Sequence, residues 1–485
     1  TTTSLPTLIH LPRDPRNLDV RISRPLSIHL DEPPRVIVTL STGRNAVTSA
    51  TLKLSAPGNG RFVVKEARFD GAVAEGPSLE CVEEWLVLQN LPPDAEFHIA
   101  IPHTHGMGAE VKVTAQIDYN PSDSKRSTRS LRATQTVSTA LPVEVKVQDI
   151  FRGDSLFSKF TIYTVSSQHI TISSARLEAH GDASALDITA CASASSSLVT
   201  LTPSKPATFL FKVRSKAERR ERDTLHLRIR YRMLREELEA IVDRHVRTAL
   251  SDSKLEAHAE EARARIMRWL ETDGTWADMY SVTGELVIGQ AQQSSDDVDD
   301  AVKLVSESLR QNSREESRRD GTWREMVIPV DLPFMNIISS AQIRLPVEPD
   351  GDFFAGRPIS TLLAINTSFH WGLANEAAKT HGYRMRFDVD APGADWLVCG
   401  RKRGEFLAKD KATFEVAITL LPLRHGLLAL PNVTVMPLPL AGSELTMGSM
   451  ALPSAETYQL HGAERVLVLP RGGRSTFVLD MSGSS

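Results

Sequence analysis

Residues 224–250 read TLHLRIRYRMLREELEAIVDRHVRTAL, and the hydrophobic period changes within this stretch. From Thr224 to Tyr231 every second residue is apolar, which predicts a strand with one buried face. From Leu234 onward, apolar residues recur at steps of three and four up to Leu250, which predicts an amphipathic helix. The chain therefore changes here from a β-rich part to a helical part.

Short strand patterns separated by turn residues fill the chain before this point. Alternation is clear at residues 35–40, 96–101 and 110–119, with Pro-, Gly- and Asn-rich turns between such segments. Short strands without intervening helices are typical of antiparallel sandwiches. We predict an immunoglobulin-like sandwich in residues 1–140 and a second one in 141–231. The likeness is architectural, since the cysteine pair and the tryptophan of antibody domains are missing.

The helical part continues beyond the first helix, and strands return after it. Apolar residues at helical spacing recur at 255–270 and again at about 297–309, so we predict a helical insert over 232–320. A C-terminal β-sandwich is predicted over 321–485. Its predicted strands are 326–330, 337–345, 359–369, 383–389, 412–420, 432–436, 464–469 and 475–479. The predicted fold class is mainly β with an α-helical insert, built as tandem immunoglobulin-like antiparallel β-sandwiches.

Composition narrows the functional classes. The 485 residues include 56 Lys and Arg against 60 Asp and Glu, and the resulting charge of −4 creates no field that attracts nucleic acid. The apolar stretch Val416 to Leu423 is far too short for a membrane span. Three widely separated cysteines, Cys81, Cys191 and Cys399, favour a reducing compartment. Because the chain opens Thr-Thr-Thr without Met, we expect an internal or C-terminal piece of a longer protein.

No motif for catalysis or cofactor binding is present, so we expect no enzyme activity and no cofactor. The best metal candidate is the trio His98, His103 and His105, because two of these imidazoles share one strand end. No fourth ligand is evident, and we expect no metal. The tryptophans could form a carbohydrate platform, but their large apolar area makes core positions the stronger prediction.

Three basic clusters are candidates for contacts. Glutamates interleave with the basic residues at 216–222 and 314–319, which predicts solvated loops. Arg401-Lys402-Arg403 is uncompensated until Glu405, and we predict that it forms a hairpin tip that contacts an acidic partner or a phosphoinositide membrane. The apolar tract Leu430 to Leu440 is either an exposed contact strip or two core strands with their turn.

The C-terminal part also contains an ordered series of distinctive segments. These are WREMVIPVDLP at 323–333, IISSA at 337–341, DWLVCGRKR at 395–403, TF at 413–414 and LPLRHGLLALPNV at 421–433. In this order they resemble the C-terminal region of the TRAPP complex subunit ten family, the large subunits specific to the TRAPP II vesicle-tethering complex. The resemblance is strongest over 323–436, and the sister large subunits of TRAPP complexes, which share β-sandwich tails, also fit.

The resemblance implies a cytoplasmic protein, peripheral at the trans-Golgi, in an assembly that activates a Rab-family GTPase by nucleotide exchange. It implies that the small core subunits perform the exchange, so this chain would be a non-catalytic structural scaffold for vesicle-mediated protein transport. Its partners would be other TRAPP subunits, a Rab GTPase indirectly and the Golgi membrane peripherally, and no nucleic acid. The same architecture would also suit a secreted or surface adhesion or carbohydrate-binding protein, which is the alternative.

Overall fold

The structure is a computed structural model of the chain. It describes residues 18–57, 61–71, 76–104, 110–122, 128–138, 141–165, 169–179, 186–191, 198–216, 224–251, 255–272, 276, 280, 297–310, 323–346, 352–372, 381–439, 452–462 and 464–471. These residues form a mainly β protein with a group of helices, so the predicted fold class is confirmed.

The first sandwich is built from two antiparallel sheets. Its part of the chain forms β1 Asp19–Ser23, β2 Ser27–His29, β3 Arg35–Ser41, β4 Val47–Ser55, β5 Arg68–Phe69, β6 Ser78–Val82, β7 Trp85–Leu91, β8 Glu96–Pro102, β9 Glu110–Pro121 and β10 Arg129–Ser138. One sheet has the order β1-β3-β8-β5 and the other β10-β9-β4-β7-β6. Val38 and Ile99 of one sheet are buried with Leu52 and Val113 of the other, so alternating residues from both sheets form the core.

The second sandwich follows directly. Its strands are β11 Val143–Arg152, β12 Ser155–Thr164, β13 Ile170–Ala179, β14 Leu186–Ala190, β15 Val199–Leu201, β16 Ala207–Ser215 and β17 Thr224–Met233. One sheet has the order β11-β12-β16-β14. The aromatic rings of Phe160 and Phe211 meet edge to face inside it, with centroids 5.8 Å apart. Strand β17 alternates as predicted, with Leu225, Leu227 and Ile229 buried.

Three described helices follow β17: α1 Leu234–Leu250, α2 Ala259–Thr272 and α3 Asp297–Arg310. The change of period at Leu234 thus marks the observed start of the first helix. No side chain caps α1; the first amide, on Leu234, donates to the carbonyl of His169 at 2.9 Å. The apolar stripes of the helices, including Ile241, Ile266 and Val305, pack against one another and form a separate small core.

The C-terminal part contains the remaining strands. They are β18 Arg324–Asp331, β19 Ile337–Arg344, β20 Phe353–Phe354, β21 Ile359–Ser368, β22 Tyr383–Asp390, β23 Trp396–Gly400, β24 Arg403–Ala408, β25 Thr413–Pro422, β26 Gly426–Ala429, β27 Asn432–Pro437, β28 Ala455–Gln459 and β29 Arg465–Leu469. One layer is the sheet β23-β25-β21-β19-β28, and smaller sheets, β24-β22-β27 and β20-β29-β26, face it. Leu363, Phe387 and Val433 are among the residues buried between them.

One strand lies in a different sheet from the one we predicted. The segment 326–330 was expected to open the C-terminal sandwich, but β18 pairs antiparallel with β17 in the second sandwich, where Met326 lies opposite Ile229. The short strand β2 from the first sandwich then joins β18 in parallel, so this sheet has the order β15-β13-β17-β18-β2. The alternation of a strand identifies its buried face but not its neighbours, so sequence alone could not assign this pairing.

The second and C-terminal sandwiches meet at a buried tryptophan. The Trp371 Nε1–H donates to the carbonyl of Gly153 at 3.2 Å, and its ring packs edge-on against Phe151 with centroids 5.7 Å apart. Gly153 has φ of +60°, a conformation that glycine adopts at little cost in the turn between β11 and β12. The core position that we predicted for Trp371 is confirmed.

Candidate partner-docking surface

The basic segment Arg401-Lys402-Arg403 joins the two layers of the C-terminal sandwich. We predicted a hairpin tip, and this prediction is wrong, because β23 pairs with β25 whereas β24 pairs with β22 in the opposite layer. The turn begins at Gly400, whose φ of +90° favours glycine, and the Lys402 amide donates to the Gly400 carbonyl at 3.0 Å. All three basic side chains are exposed.

The three cations differ in their partners. Arg403 Nε lies 2.7 Å from Asp388 Oδ2, and Asp388 is its register partner on β22 and is only 16% exposed. Within the described residues, Arg401 and Lys402 have no ion pair. Only two of the three positive charges are therefore available to a ligand, and the third belongs to the fold.

Strand β23 has a free backbone edge, because β25 is its one strand neighbour in the described part of the chain. The Leu423 amide donates to the Asp395 carbonyl at 2.9 Å, and the Trp396 amide donates to Pro392 in the preceding turn at 3.1 Å. Residues in an antiparallel ladder alternate between facing the neighbour and facing away. The N–H and C=O of Val398 consequently point away from β25.

The side chains along this edge are partly apolar and exposed. Leu397 is 49% exposed opposite Leu421, while Val398 is half-buried at the margin of the core. Strand β24 forms the edge of the facing sheet and carries Leu407, which is 52% exposed. We call residues 396–408, with both strands and the basic turn, the open edge.

The other side of the sandwich is closed by side chains. On β27 the Val435 amide donates to Thr457 Oγ1 at 3.1 Å, and the Val433 amide donates to Gln459 Oε1 at 3.2 Å. The same two side chains donate back to the carbonyls of these valines. We call β27 and β28 the closed edge, because its backbone groups already have partners across the two layers.

Buried His461 continues this closure. Its Nδ1 accepts from the Ile343 amide at 3.1 Å, which leaves the proton on Nε2, and Nε2–H donates to the Pro431 carbonyl at 3.0 Å. The tract from Leu430 to Pro437 is part of the core rather than a contact strip, because Leu430, Val433 and Val435 are buried. Met436 is its exposed apolar residue.

A second group of charges holds the helices against the sheets. Arg324 donates to both carboxylate oxygens of Glu236 at 2.9 and 3.0 Å, and the fully buried pair Arg232 and Glu237 lies beside it. The Tyr280 hydroxyl donates to Glu237 Oε1 at 2.7 Å. Burial raises the pKa of Glu237, although Arg232 and the hydrogen bonds oppose this shift.

This junction borders a cleft of about 440 Å³ between the first sandwich and α1, lined also by Ser23, Thr39 and His98. Sequence reasoning did not identify the junction. The available signal was a charged residue on the apolar stripe of a helix, since Glu237 lies between Leu234 and Ile241 at helical spacing.

The two metal candidates that the structure describes, His98 and His103, make other contacts. His98 Nδ1 lies 3.0 Å from Thr39 Oγ1, and buried His103 packs edge-on against Phe62 with ring centroids 6.4 Å apart. His105 lies outside the described residues. Within those residues, no cluster of three or more potential metal ligands exists.

Other predictions are partly tested. Trp371 and Trp396 are buried, and Trp85 is half-buried beneath the Lys53 ammonium, 5.2 Å from the ring centroid. The three cysteines are free thiols. Most of the predicted solvated loop at 216–222, from residue 217 onward, lies outside the described part of the chain. The predicted loop at 314–319, the predicted strand 475–479 and residue Leu440 also lie outside it.

The region that contains both edges is similar to a known protein family. Residues 329–469 match the family model described as the TRAPPC10 C-terminal domain. This part of the chain is TRAPPC10-like. Residues 15–138 match a second family model, a domain of unknown function named DUF7077. A search of curated proteins finds no match.

Solved structures give only remote likenesses. A cohesin module from a Clostridium perfringens family 33 glycoside hydrolase is 13% identical, covers 25% of this chain and 94% of its own, and has a TM-score of 0.20. The native Escherichia coli alpha-2-macroglobulin is 8% identical over 92% of this chain and 50% of its own, also with a TM-score of 0.20. PapD-like domain 7 of human CEP192 is 13% identical, covers 29% of this chain and 98% of its own, and has a TM-score of 0.16. Scores this low carry no argument.

The TRAPPC10-like region begins inside β18 and ends with β29, so it includes the open edge, the closed edge and the basic turn. The family match therefore covers the residues that the sequence nominated for contact. Among the helices that the structure describes, none has the length and apolar character to cross a membrane.

Proposed function

We propose that this chain is a non-catalytic scaffold subunit of a TRAPP II-like vesicle-tethering and Rab guanine-nucleotide-exchange complex, located in the cytoplasm at the trans-Golgi. The observation that carries the proposal is the match of residues 329–469 to the TRAPPC10 C-terminal domain. Linked sandwiches suit a scaffold, because they offer large faces and strand edges to partners without disturbing their own cores.

The C-terminal sandwich is the docking module in this proposal, and its partners are other TRAPP subunits. Arg401 and Lys402 add a weak attraction to an anionic Golgi membrane, about 1 kcal/mol for each charge, which assists recruitment but is too small to achieve it alone. Exchange on the Rab GTPase is assigned to other subunits, so the chain by itself should not accelerate nucleotide release.

The test is a truncation of the full-length protein. It should end after Pro333 rather than at residue 320, because β18 pairs with β17 and Leu332 is buried in the core of the second sandwich. We expect that the TRAPP II-specific subunits are lost from the purified complex while the small core subunits remain assembled. Retention of every subunit together with normal Golgi localisation would show that the C-terminal sandwich is not the docking module.

The alternative of a secreted adhesion protein gains no support from the comparisons, since the structural likenesses reported above have TM-scores of 0.20 or lower. A native disulfide between Cys81 and Cys191, seen on non-reducing gels, would favour that alternative.

A further inference from the structure

We infer that the open edge binds an extended segment of another protein, which adds a strand to β23 and places carboxylates beside Arg401 and Lys402. Only the identity of that protein, a second TRAPP subunit, rests on the proposed function. The mode of binding rests on the backbone, side chains and charges of residues 396–408.

The backbone provides the first argument. An edge strand presents unpaired N–H and C=O groups that can pair with an added strand, unless a proline, a bulge or a covering group blocks them. Val398 directs both groups away from β25, and no proline or register shift interrupts β23. On the closed edge the corresponding groups of Val433 and Val435 already bond to Gln459 and Thr457.

The side chains provide the second argument. An added strand would place alternate residues on the two faces of the sheet. One would pack beside Val398 and complete its burial at the margin of the core, and the next would cover exposed Leu397. The edge therefore favours a segment with apolar side chains on both faces near its centre.

The charges select the occupant. Arg401 and Lys402 immediately follow the free strand and have no ion pair in the described residues, so carboxylates on the added segment would supply their partners. A second copy of this chain fits poorly. Antiparallel pairing about Val398 would offer the two cations of one copy a single carboxylate, Asp395 of the other copy, and Asp395 already binds Arg424 Nε at 2.5 Å.

The experiment uses photo-crosslinking in the full-length protein purified with its complex. Benzoylphenylalanine replaces Leu397, the complex is irradiated, and the crosslinked peptide is identified by mass spectrometry. We expect a segment of another subunit that combines consecutive apolar residues near its centre with Asp or Glu at one end. A crosslink to a second copy, a crosslink to a segment without carboxylates, or no crosslink at all would overturn the inference.

Two matched pairs of variants test the contacts. Val398→Pro removes the outward N–H and should lower the crosslink yield about tenfold, whereas Val398→Ile keeps both the N–H and an apolar side chain and should lower it far less. Arg401→Glu with Lys402→Glu should lower the yield, and Arg403→Gln should not. Circular dichroism checks that each variant is folded. Equal yields from Val398→Pro and Val398→Ile would contradict strand addition.

A peptide assay decides the inference independently of complex membership. Two fluorescent 12-residue peptides have consecutive Val residues at the centre, flanked by Thr, so that both faces of the added strand are apolar there. The two peptides carry a Glu-Glu pair before or after this stretch, and Lys-Lys versions are controls. One Glu peptide should bind the 485-residue chain, and Val398→Pro should weaken this binding about tenfold.

Failure of both Glu peptides to bind, or equal binding of the Lys versions, would reject the open edge as the site. If the chain binds phosphatidylserine vesicles only when Arg401 and Lys402 are intact, and binds neither Glu peptide, these cations contact a membrane instead of a protein segment. If the full-length protein purifies without TRAPP subunits, the proposed function fails while this assay still stands.

Discussion

The two lateral edges of the C-terminal sandwich are finished in opposite ways. At the closed edge, Thr457 and Gln459 from one layer bind the backbone of β27 in the other, and His461 links the layers beside them. At the open edge, the backbone of Val398 has no such partner in the described residues, and two unpaired cations follow it. Polar side chains on one edge thus perform the task that an added strand would perform on the other.

The difference shows that protection of an edge strand depends on side chains from a neighbouring strand more than on the sequence of the edge strand itself. Both edges contain short strands, and Trp396 of β23 is buried in the same core as Val433 and Val435 of β27. Since an unprotected edge is an aggregation hazard, proteins usually block it. A protein that blocks one edge and leaves the other free has a surface suited to a specific partner.

The largest expected effect concerns Trp396, which anchors the open edge from inside. It is buried, and its Nε1–H donates to the Ala429 carbonyl at 2.7 Å in the facing layer. Trp396→Ala should lower the free energy of unfolding by about 3–5 kcal/mol, measured by urea denaturation. Leu397→Ala, at the next position on the outer face, should change it by less than about 0.5 kcal/mol. Similar losses from both variants would mean that the outer face of β23 is covered.

The next effect concerns His461 at the closed edge. His461→Ala leaves the buried Ile343 amide and the Pro431 carbonyl without their partner, which should cost about 1–3 kcal/mol of unfolding free energy. The exposed His425 provides the control, and His425→Ala should have almost no effect. A neutral result for His461→Ala would show that water replaces the imidazole and that this side of the sandwich is less closed than its hydrogen bonds indicate.

A smaller loss of stability should follow from opening the closed edge. The double variant Thr457→Val and Gln459→Leu removes the groups that bind the β27 backbone and should cost about 1–2 kcal/mol. It should also make the chain self-associate, because β27 would then present a free edge. Sedimentation velocity measures the association, with Thr434→Val on the outer face of β27 as the control. A monomeric double variant of unchanged stability would show that the two side chains do not protect the edge.

Sequence alone predicted the elements well where periodicity was strong. Strand β17 and helix α1 were found because apolar residues repeat every two and then every three or four positions, which reflects burial directly. The partner of β18 was not found, because pairing joins segments that are distant in the chain. The division of the chain at residues 140, 231 and 320 stays a prediction, and the structure adds that β2 and β18 cross it to form one sheet.

The sequence identified the basic cluster as a candidate contact site, but it could not distinguish the roles of the three cations. Arg401-Lys402-Arg403 reads as a uniform cluster, and only the register of β22 and β24 shows that Asp388 neutralises its third member. The caps of the closed edge were equally hidden, because Thr457 and Gln459 are ordinary polar residues in the sequence. Their role arises from the contact of two layers, for which a single sequence contains no signal.

The smallest expected effect separates the three cations. Arg403→Gln removes the ion pair with Asp388 and should cost about 0.2–1 kcal/mol of unfolding free energy, because Arg403 is largely exposed and water screens the pair. Arg401→Gln and Lys402→Gln should cost nothing measurable, since neither cation has an ion pair in the described residues. Raising the salt concentration should shrink the effect of Arg403→Gln and leave the other two variants unchanged. If Arg401→Gln is as destabilising as Arg403→Gln, Arg401 belongs to the fold, and the open edge loses one of the charges that would select an acidic segment.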